Sequence, residues 1–264
     1  MNNGMTPVSE LELPDDAIEG FTALDLKSIA LLLDVDGTII DIGPTPHEVH
    51  VPDALCKSLA RLDERLGGAC ALVSGRLIAD LDRLFSPLKL STVGAHGAEM
   101  RVAGAGVAGA VTVLPTELRR RLAGAAAPGV IIEDKGYSLT LHFRAAPERE
   151  GALRALAVAV CKEFAGEGID ILPGKAMIEI KRVQVNKGEG VRALMQLPPF
   201  AGRKPVFIGD DVTDESVFAA LPQIGGVGFS VGRKFSGLAG AFHTPAQVRI
   251  ALQTLARQGE GRPR

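Results

Sequence analysis

The sequence predicts an α/β protein in which a parallel-sheet core is interrupted by an α+β insert, and three observations carry that prediction. Apolar runs ending at Asp34, at Val73 and at Gly209 have the unbroken texture of strands buried on both faces. Each is followed by a polar cluster and then by helical spacing, the order of parallel β-α-β units. From about residue 100 to 183, alternating residues grouped in hairpins replace those runs, which suits an antiparallel sheet with helices on one face.

The elements follow in order. Residues 1–26 mix acids, Pro and Gly without a period and read as a flexible acidic arm. Ser28 to Asp34 is the first strand. Leu55, Leu59, Leu62 and Leu66 mark a helix over Pro52 to Leu66, Ala69 to Val73 is the second strand, Arg76 to Leu84 is a helix and Thr92-Val93 a short strand. The insert then repeats a β-α-β-β cycle. Its first copy is a strand at Val107 to Val113, a helix at Thr116 to Ala126, and a hairpin of Val130 to Glu133 and Tyr137 to Phe143 joined at Lys135-Gly136. Its second is a helix at Glu148 to Phe164 and strands at Ile169 to Leu172 and Ala176 to Lys181, with Pro173-Gly174 as the turn. Parallel texture returns with a helix from Lys187 to Met195, a strand at Pro205 to Gly209, a helix from Asp214 to Ala220 and a strand within Gly225 to Val231. The expected domains are a discontinuous core of 27–99 with 184–256, an inserted domain of 100–183, and a flexible tail of 257–264.

Composition excludes several function classes. The 264 residues suffice for one large or two modest domains. With 29 Lys+Arg against 31 Asp+Glu the net charge is −2, which argues against nucleic acid as a partner. The blandest stretch, Val102 to Leu114, is too short to cross a bilayer, so no membrane role is expected. Three widely spaced cysteines, Cys56, Cys70 and Cys161, suit a reducing cytoplasm. The acidic start lacks the positive charge of a targeting peptide. Nothing in the chain demands an oligomer, and a monomer is permitted.

Three strand ends carry chemistry: Asp34 to Thr38, Ser74-Gly75-Arg76, and Gly209 to Glu215. In open parallel sheets, ligands bind beyond the carboxyl ends of the strands, so these clusters should converge. Asp210, Asp211, Asp214 and Glu215 put four carboxylates in six residues with no base among them. Such a group suits a hard cation such as Mg2+; the plainer alternative is a helix start capped by Thr213 and favoured by acids. Asp34 and Asp36 form a pair in which one carboxylate can attack while the other handles protons, against which stands a simple Asx turn at Asp36-Gly37. Ser74 and Arg76 offer donors for phosphate oxygens, as does Lys187; against them stand a plain turn with a helix start and a solvated lysine, the commoner reading of such residues taken alone.

Taken together, Asp34-Val35-Asp36-Gly37-Thr38, then Ser74, then Lys187, then Gly209-Asp210-Asp211 with Thr213-Asp214-Glu215 resemble the four motifs of the haloacid dehalogenase-like (HAD) phosphatases. The insert lies where that superfamily carries its C2-type cap. More narrowly, Val73-Ser74-Gly75-Arg76, Gly94 to Glu99, Glu133 with Lys135-Gly136, Leu141 to Arg144, Gly174-Lys175 and Glu179-Ile180-Lys181 resemble the trehalose-6-phosphate phosphatases over residues 28 to 255. The resemblance implies a Rossmann-like core and Mg2+-dependent hydrolysis of a small sugar phosphate through an aspartyl-phosphate. It implies Asp34 as nucleophile, Asp36 as general acid and base, Ser74 and Lys187 on the phosphoryl oxygens, and the metal on Asp34, the Asp36 carbonyl and Asp210, supported by Asp211 and Asp214. It implies sugar contacts from Glu133, Lys135 and Glu179, with Arg76, His96 and Lys175 lining the same cavity. For each of these a solvated strand face is the competing reading, and His142 and Arg144 suit a structural role equally. Arg182-Val183 stands where related enzymes often carry Pro. The rival functions are action on another sugar phosphate, a phosphate-accepting switch, and a silent sugar-phosphate binder.

Overall fold

The computed structural model describes residues 16–43, 48–106, 108–109, 113–174, 176–183 and 185–258. It divides into two compact units, Met1–Ala108 with Asn186–Arg264, and Gly109–Val185.

The larger unit is built on strands β1 (Ile29–Leu33), β2 (Cys70–Val73), β3 (Ser91–Gly94), β4 (Glu99–Arg101) and β5 (Ala108–Gly109). β6 (Ile131–Asp134), β7 (Ser138–His142), β8 (Ile169–Gly174) and β9 (Met177–Arg182) form the smaller unit's sheet, and β10 (Lys204–Gly209), β11 (Val227–Val231) and β12 (Gly240–Phe242) rejoin the first. The larger sheet runs β12-β11-β10-β1-β2-β3-β4-β5. β1 is central, its five residues all buried, as a strand covered on both faces must be. Its pairing is parallel on both sides: Leu33 lies opposite Ile208 on β10 and Leu72 on β2. That register brings Asp34, Ser74 and Asp210 out together at the carboxyl ends of three adjacent strands, each one residue past its strand.

Helix α1 (Asp16–Thr22) precedes this sheet, and α2 (Asp53–Arg65), α3 (Ile78–Leu84), α6 (Lys187–Leu194), α7 (Glu215–Ala220) and α8 (Pro245–Arg257) follow along the chain; α4 (Thr116–Ala123) and α5 (Glu150–Lys162) belong to the smaller unit. α2 buries Leu55, Leu59 and Leu62, the periodic residues that predicted it. α6 and α7 approach closely enough that a Cβ on Gly188 would fall 2.3 Å from the Ser216 carbonyl oxygen.

Several expectations change. The arm is not loose throughout: Asp16–Thr22 is helical, and Phe21 is fully buried, edge-on to Phe229 and Phe242 at 5.5 and 5.8 Å. One aromatic anchor outweighs the acids around it. Residues 1–15 and 259–264, the rest of the arm and most of the tail, lie outside the described residues. Glu99–Arg101 pairs antiparallel with β3, so the larger unit's strand structure continues past residue 100. Of the strand expected over Val107 to Val113, the described part is Ala108–Gly109, at the edge of the larger sheet. Pro173-Gly174 is strand, paired with Ile178 and Met177, and the chain turns after it, where Ala176 takes φ +58°. The strand β12 and the helix α8, capped by Thr244 accepting from the Gln247 N–H, had no counterpart in the sequence reading.

The smaller unit has sheet order β6-β7-β9-β8, all antiparallel. Leu139, Leu141, Ile178 and Ile180 face the apolar residues Leu118 and Leu122 of α4 and Leu153, Ala157 and Val160 of α5. The hairpin turn falls at Lys135-Gly136 as read, with Gly136 at φ +81°. Among the described residues, no helix is long and apolar enough to cross a membrane.

Candidate active site

Asp34 leaves β1 with its backbone N–H bonded to the Ile208 carbonyl at 2.9 Å and its side chain almost wholly buried. Oδ1 accepts from Lys187 Nζ at 2.7 Å and Oδ2 from the Thr38 hydroxyl at 2.8 Å. That hydroxyl is also 3.0 Å from Asp210 Oδ1; with one proton to give, it serves whichever carboxylate is more negative. Gly37 permits this crowding. It sits at φ +79°, and a Cβ there would fall 2.2 Å from Asp210 Oδ2, so a larger residue would strain the backbone and displace the Asp210 carboxylate.

Lys187 is the first residue of α6, whose start is fixed by the Asn186 side chain accepting from the Glu189 N–H. Its ammonium lies 2.7 Å from both Asp34 Oδ1 and Asp214 Oδ1. Burial pulls its pKa down, but the two carboxylates more than reverse this and hold it above the usual lysine range. Asp214 is fully buried; its other oxygen accepts from the backbone N–H groups of Asp210 and Asp211 at 3.0 and 3.1 Å. Burial, followed by the charge of Asp34, pushes the carboxyls of Asp210 and Asp214 up to about 7 each.

One oxygen from each of Asp34, Asp210 and Asp214 lies within 4.8 Å of the others. Three carboxylates thus face one ammonium, which leaves surplus negative charge in a largely buried site. All the donors are hard oxygens. The cluster therefore fits a hard divalent cation, which would relieve the repulsion. Asp211 and Asp214 were expected to support the metal from outside its ligands; one Asp214 oxygen lies within 4.8 Å of oxygens of Asp34 and Asp210 while both of its oxygens already accept hydrogen bonds, and the exposed Asp211 carboxylate turns back to cap the Val212 N–H at 2.7 Å.

Arg76, expected against substrate, is engaged with Asp36: Nε and Nη2 donate to both carboxylate oxygens at 2.7 and 2.6 Å. The fork geometry makes this a strong, oriented pair. Ser74 is buried, its hydroxyl accepting from the Arg76 N–H at 3.1 Å and its carbonyl from the His96 N–H at 3.0 Å. His96 takes φ +55°, and its ring lies so close to Gly75 that a Cβ there would be 2.4 Å from Cε1. His96 thus packs on the Ser74–Arg76 turn.

In the smaller unit, register pairs Glu133 with Thr140 and Thr140 with Glu179, placing the two acids on the sheet face opposite the helix-packed leucines. Lys135 Nζ is 3.3 Å from Glu133 Oε1. Lys175 lies outside the described residues.

Two residues of the site were missed as functional. Thr38 ends the first motif, so its position was visible, but its bridge between Asp34 and Asp210 spans a sequence distance that local pattern does not reach. Arg233, just past β11, donates through Nε to the Asp210 carbonyl at 3.0 Å, with its guanidinium 4.5 Å from the Phe235 ring centroid; its place at a fourth strand end was the available signal.

A family model described as trehalose-phosphatase matches residues 32–244. A probable trehalose-phosphate phosphatase of Sinorhizobium fredii is 41% identical over 227 residues, 85% of either chain. The trehalose-6-phosphate phosphatase of Escherichia coli is 38% identical over 211 residues, 77% of either chain. Among solved structures, Aspergillus fumigatus trehalose-6-phosphate phosphatase superposes with a TM-score of 0.68 at 24% identity, covering 94% of this chain and 99% of that one, and so shares the fold.

Proposed function

The chain belongs to the trehalose-phosphatase family of phosphoric monoester hydrolases, and from that premise we propose that it hydrolyses trehalose 6-phosphate to trehalose and phosphate, with Mg2+, through an aspartyl-phosphate on Asp34. The observation that carries the reading is the buried Asp34 carboxylate, held by Lys187 and Thr38 with Asp210 and Asp214 alongside. A buried nucleophile fixed at both oxygens is pre-positioned for attack, and phosphoryl transfer depends mainly on position and charge neutralisation.

In the proposed reaction a bond forms between an Asp34 carboxylate oxygen and phosphorus as the bond from phosphorus to the sugar oxygen breaks. Asp36 gives its proton to the departing oxygen. A water molecule then attacks phosphorus and yields a proton to Asp36, and the Asp34–phosphorus bond breaks to release phosphate. Because Arg76 occupies both Asp36 oxygens, Asp36 engages the substrate once that pair opens. Ser74 and Lys187 hold the transferring oxygens. Asp34, Asp210 and the Asp36 carbonyl would hold Mg2+, with Asp214 beside them; when bound, it supplies positive charge to the phosphoryl oxygens. The inserted unit serves as the cap, with Glu133, Lys135 and Glu179 contacting sugar hydroxyls and Lys175 assigned to the same role. A cytoplasmic setting accords with Cys56, Cys70 and Cys161 all being free thiols.

The test is phosphate release from trehalose 6-phosphate, sucrose 6-phosphate and glucose 6-phosphate, with Mg2+ and again with EDTA. Metal-dependent release from trehalose 6-phosphate in clear preference to the others is expected. Preference for another sugar phosphate overturns the substrate, and release undiminished by EDTA overturns the metal.

A further inference from the structure

The inserted unit carries a histidine, His142, that the chemistry above leaves without a role. Glu133 on β6 lies opposite Thr140 on β7, and His142 stands two residues farther along β7. Glu133 and His142 are therefore diagonal neighbours on one face of the sheet, within reach of long side chains. His142 Nε2 is 3.1 Å from Glu133 Oε2, while Lys135 Nζ is 3.3 Å from Glu133 Oε1. Each carboxylate oxygen thus has its own basic partner. Burial pushes the Glu133 carboxyl up, but the hydrogen bond from His142 and the charge of Lys135 outweigh it and hold the group below the usual glutamate range. An ionised carboxylate only accepts, so the hydrogen bond between them requires the proton on Nε2.

We infer that His142 is a positioning residue that orients the Glu133 carboxylate to accept from sugar hydroxyls, an inference that rests on the substrate reading above. A carboxylate offers about four acceptor sites. With one on each oxygen already taken from fixed directions, the remaining lone pairs are aimed before a ligand arrives, and less side-chain freedom is lost on binding. Lys135 alone leaves the carboxylate free to rotate about its bond to Cγ; His142 supplies the second point that fixes its plane.

Two substitutions test this. In His142→Phe the ring remains and the donor is lost; in His142→Gln an N–H donor returns at a reach similar to Nε2. The readout is the ratio of kcat/KM for trehalose 6-phosphate to that for 4-nitrophenyl phosphate, which has no sugar. The ratio is expected to fall about tenfold in His142→Phe, the loss of roughly one well-placed hydrogen bond, through a higher KM for the sugar phosphate, and to recover in His142→Gln. An unchanged ratio in His142→Phe overturns the inference. So does an equal loss on both substrates in both variants, which marks a purely structural residue. A wild-type protein that does not prefer trehalose 6-phosphate overturns the substrate reading first and the role of His142 with it, and that result is seen before any variant is made.

Discussion

The two units handle charge in opposite ways. In the larger, the side chains of Asp34, Asp214 and Lys187 are each at most 5% exposed, and the one ammonium holds both carboxylates at 2.7 Å. In the smaller, the side chains of Glu133, Lys135 and His142 are 46, 34 and 37% exposed and are joined by longer contacts. Buried charges are strongly coupled and costly to disturb, whereas half-exposed ones are screened, so their contacts orient a side chain at a smaller energetic cost. The difference separates two tasks: the rigid cluster suits bond making and breaking, and the open sheet face suits recognition of a polar ligand that brings its own hydroxyls.

Substitutions can break that contrast. The largest effect is expected from Asp34→Asn, which keeps the shape of the side chain and removes the proposed nucleophile: kcat should fall on the order of 10⁴-fold while the melting curve stays cooperative. Residual turnover within tenfold of wild type would place the nucleophile elsewhere. Lys187→Ala leaves the buried carboxylates without their ammonium, so it should destabilise the protein by about 3–5 kcal/mol as well as abolish turnover; thermal denaturation checks the first and phosphate release the second. Mg2+ should stabilise the wild type by about 2.7 kcal/mol at a hundred times its dissociation constant, an increment that EDTA reverses and that Asp210→Asn diminishes.

On the smaller unit the effects should be milder and confined to substrate choice. Glu133→Ala is expected to raise KM for trehalose 6-phosphate about tenfold and to leave hydrolysis of 4-nitrophenyl phosphate near wild type; parallel losses on both would assign it to folding. The smallest effect belongs to Asp211→Asn. Its side chain caps the Val212 turn from an exposed position, and Asn caps as well as Asp, so melting temperature and Mg2+ binding, followed by calorimetry, should match wild type. A marked loss of Mg2+ affinity would return Asp211 to the metal's surroundings.

How much of this was legible in the sequence follows the same division. Asp34, Ser74 and Asp210 each stand at the end of an apolar run, and a parallel register converts that placement into convergence. The partner chosen by each side chain was not legible. The pairing of Arg76 with Asp36 had no local signal, and neither had that of Asp214, which the turn after β10 places with one oxygen on Lys187 and the other on two backbone N–H groups. The helix α1 was hidden by its acidic composition, since a single residue, Phe21, anchors it. Alternation identified the small sheet, but the strand end at Pro173-Gly174 was misplaced because a Pro-Gly pair there extends an edge strand, β8, in which the missing Pro N–H costs little.

The central claim is that Asp34 carries the phosphoryl group. Acid quenching of the protein during turnover of trehalose 6-phosphate with Mg2+, followed by peptide mass spectrometry, tests it most directly. The account predicts one added phosphoryl group on the peptide containing Asp34, present in the wild type and absent in Asp34→Asn. Steady turnover with the phosphoryl group on another residue would contradict it.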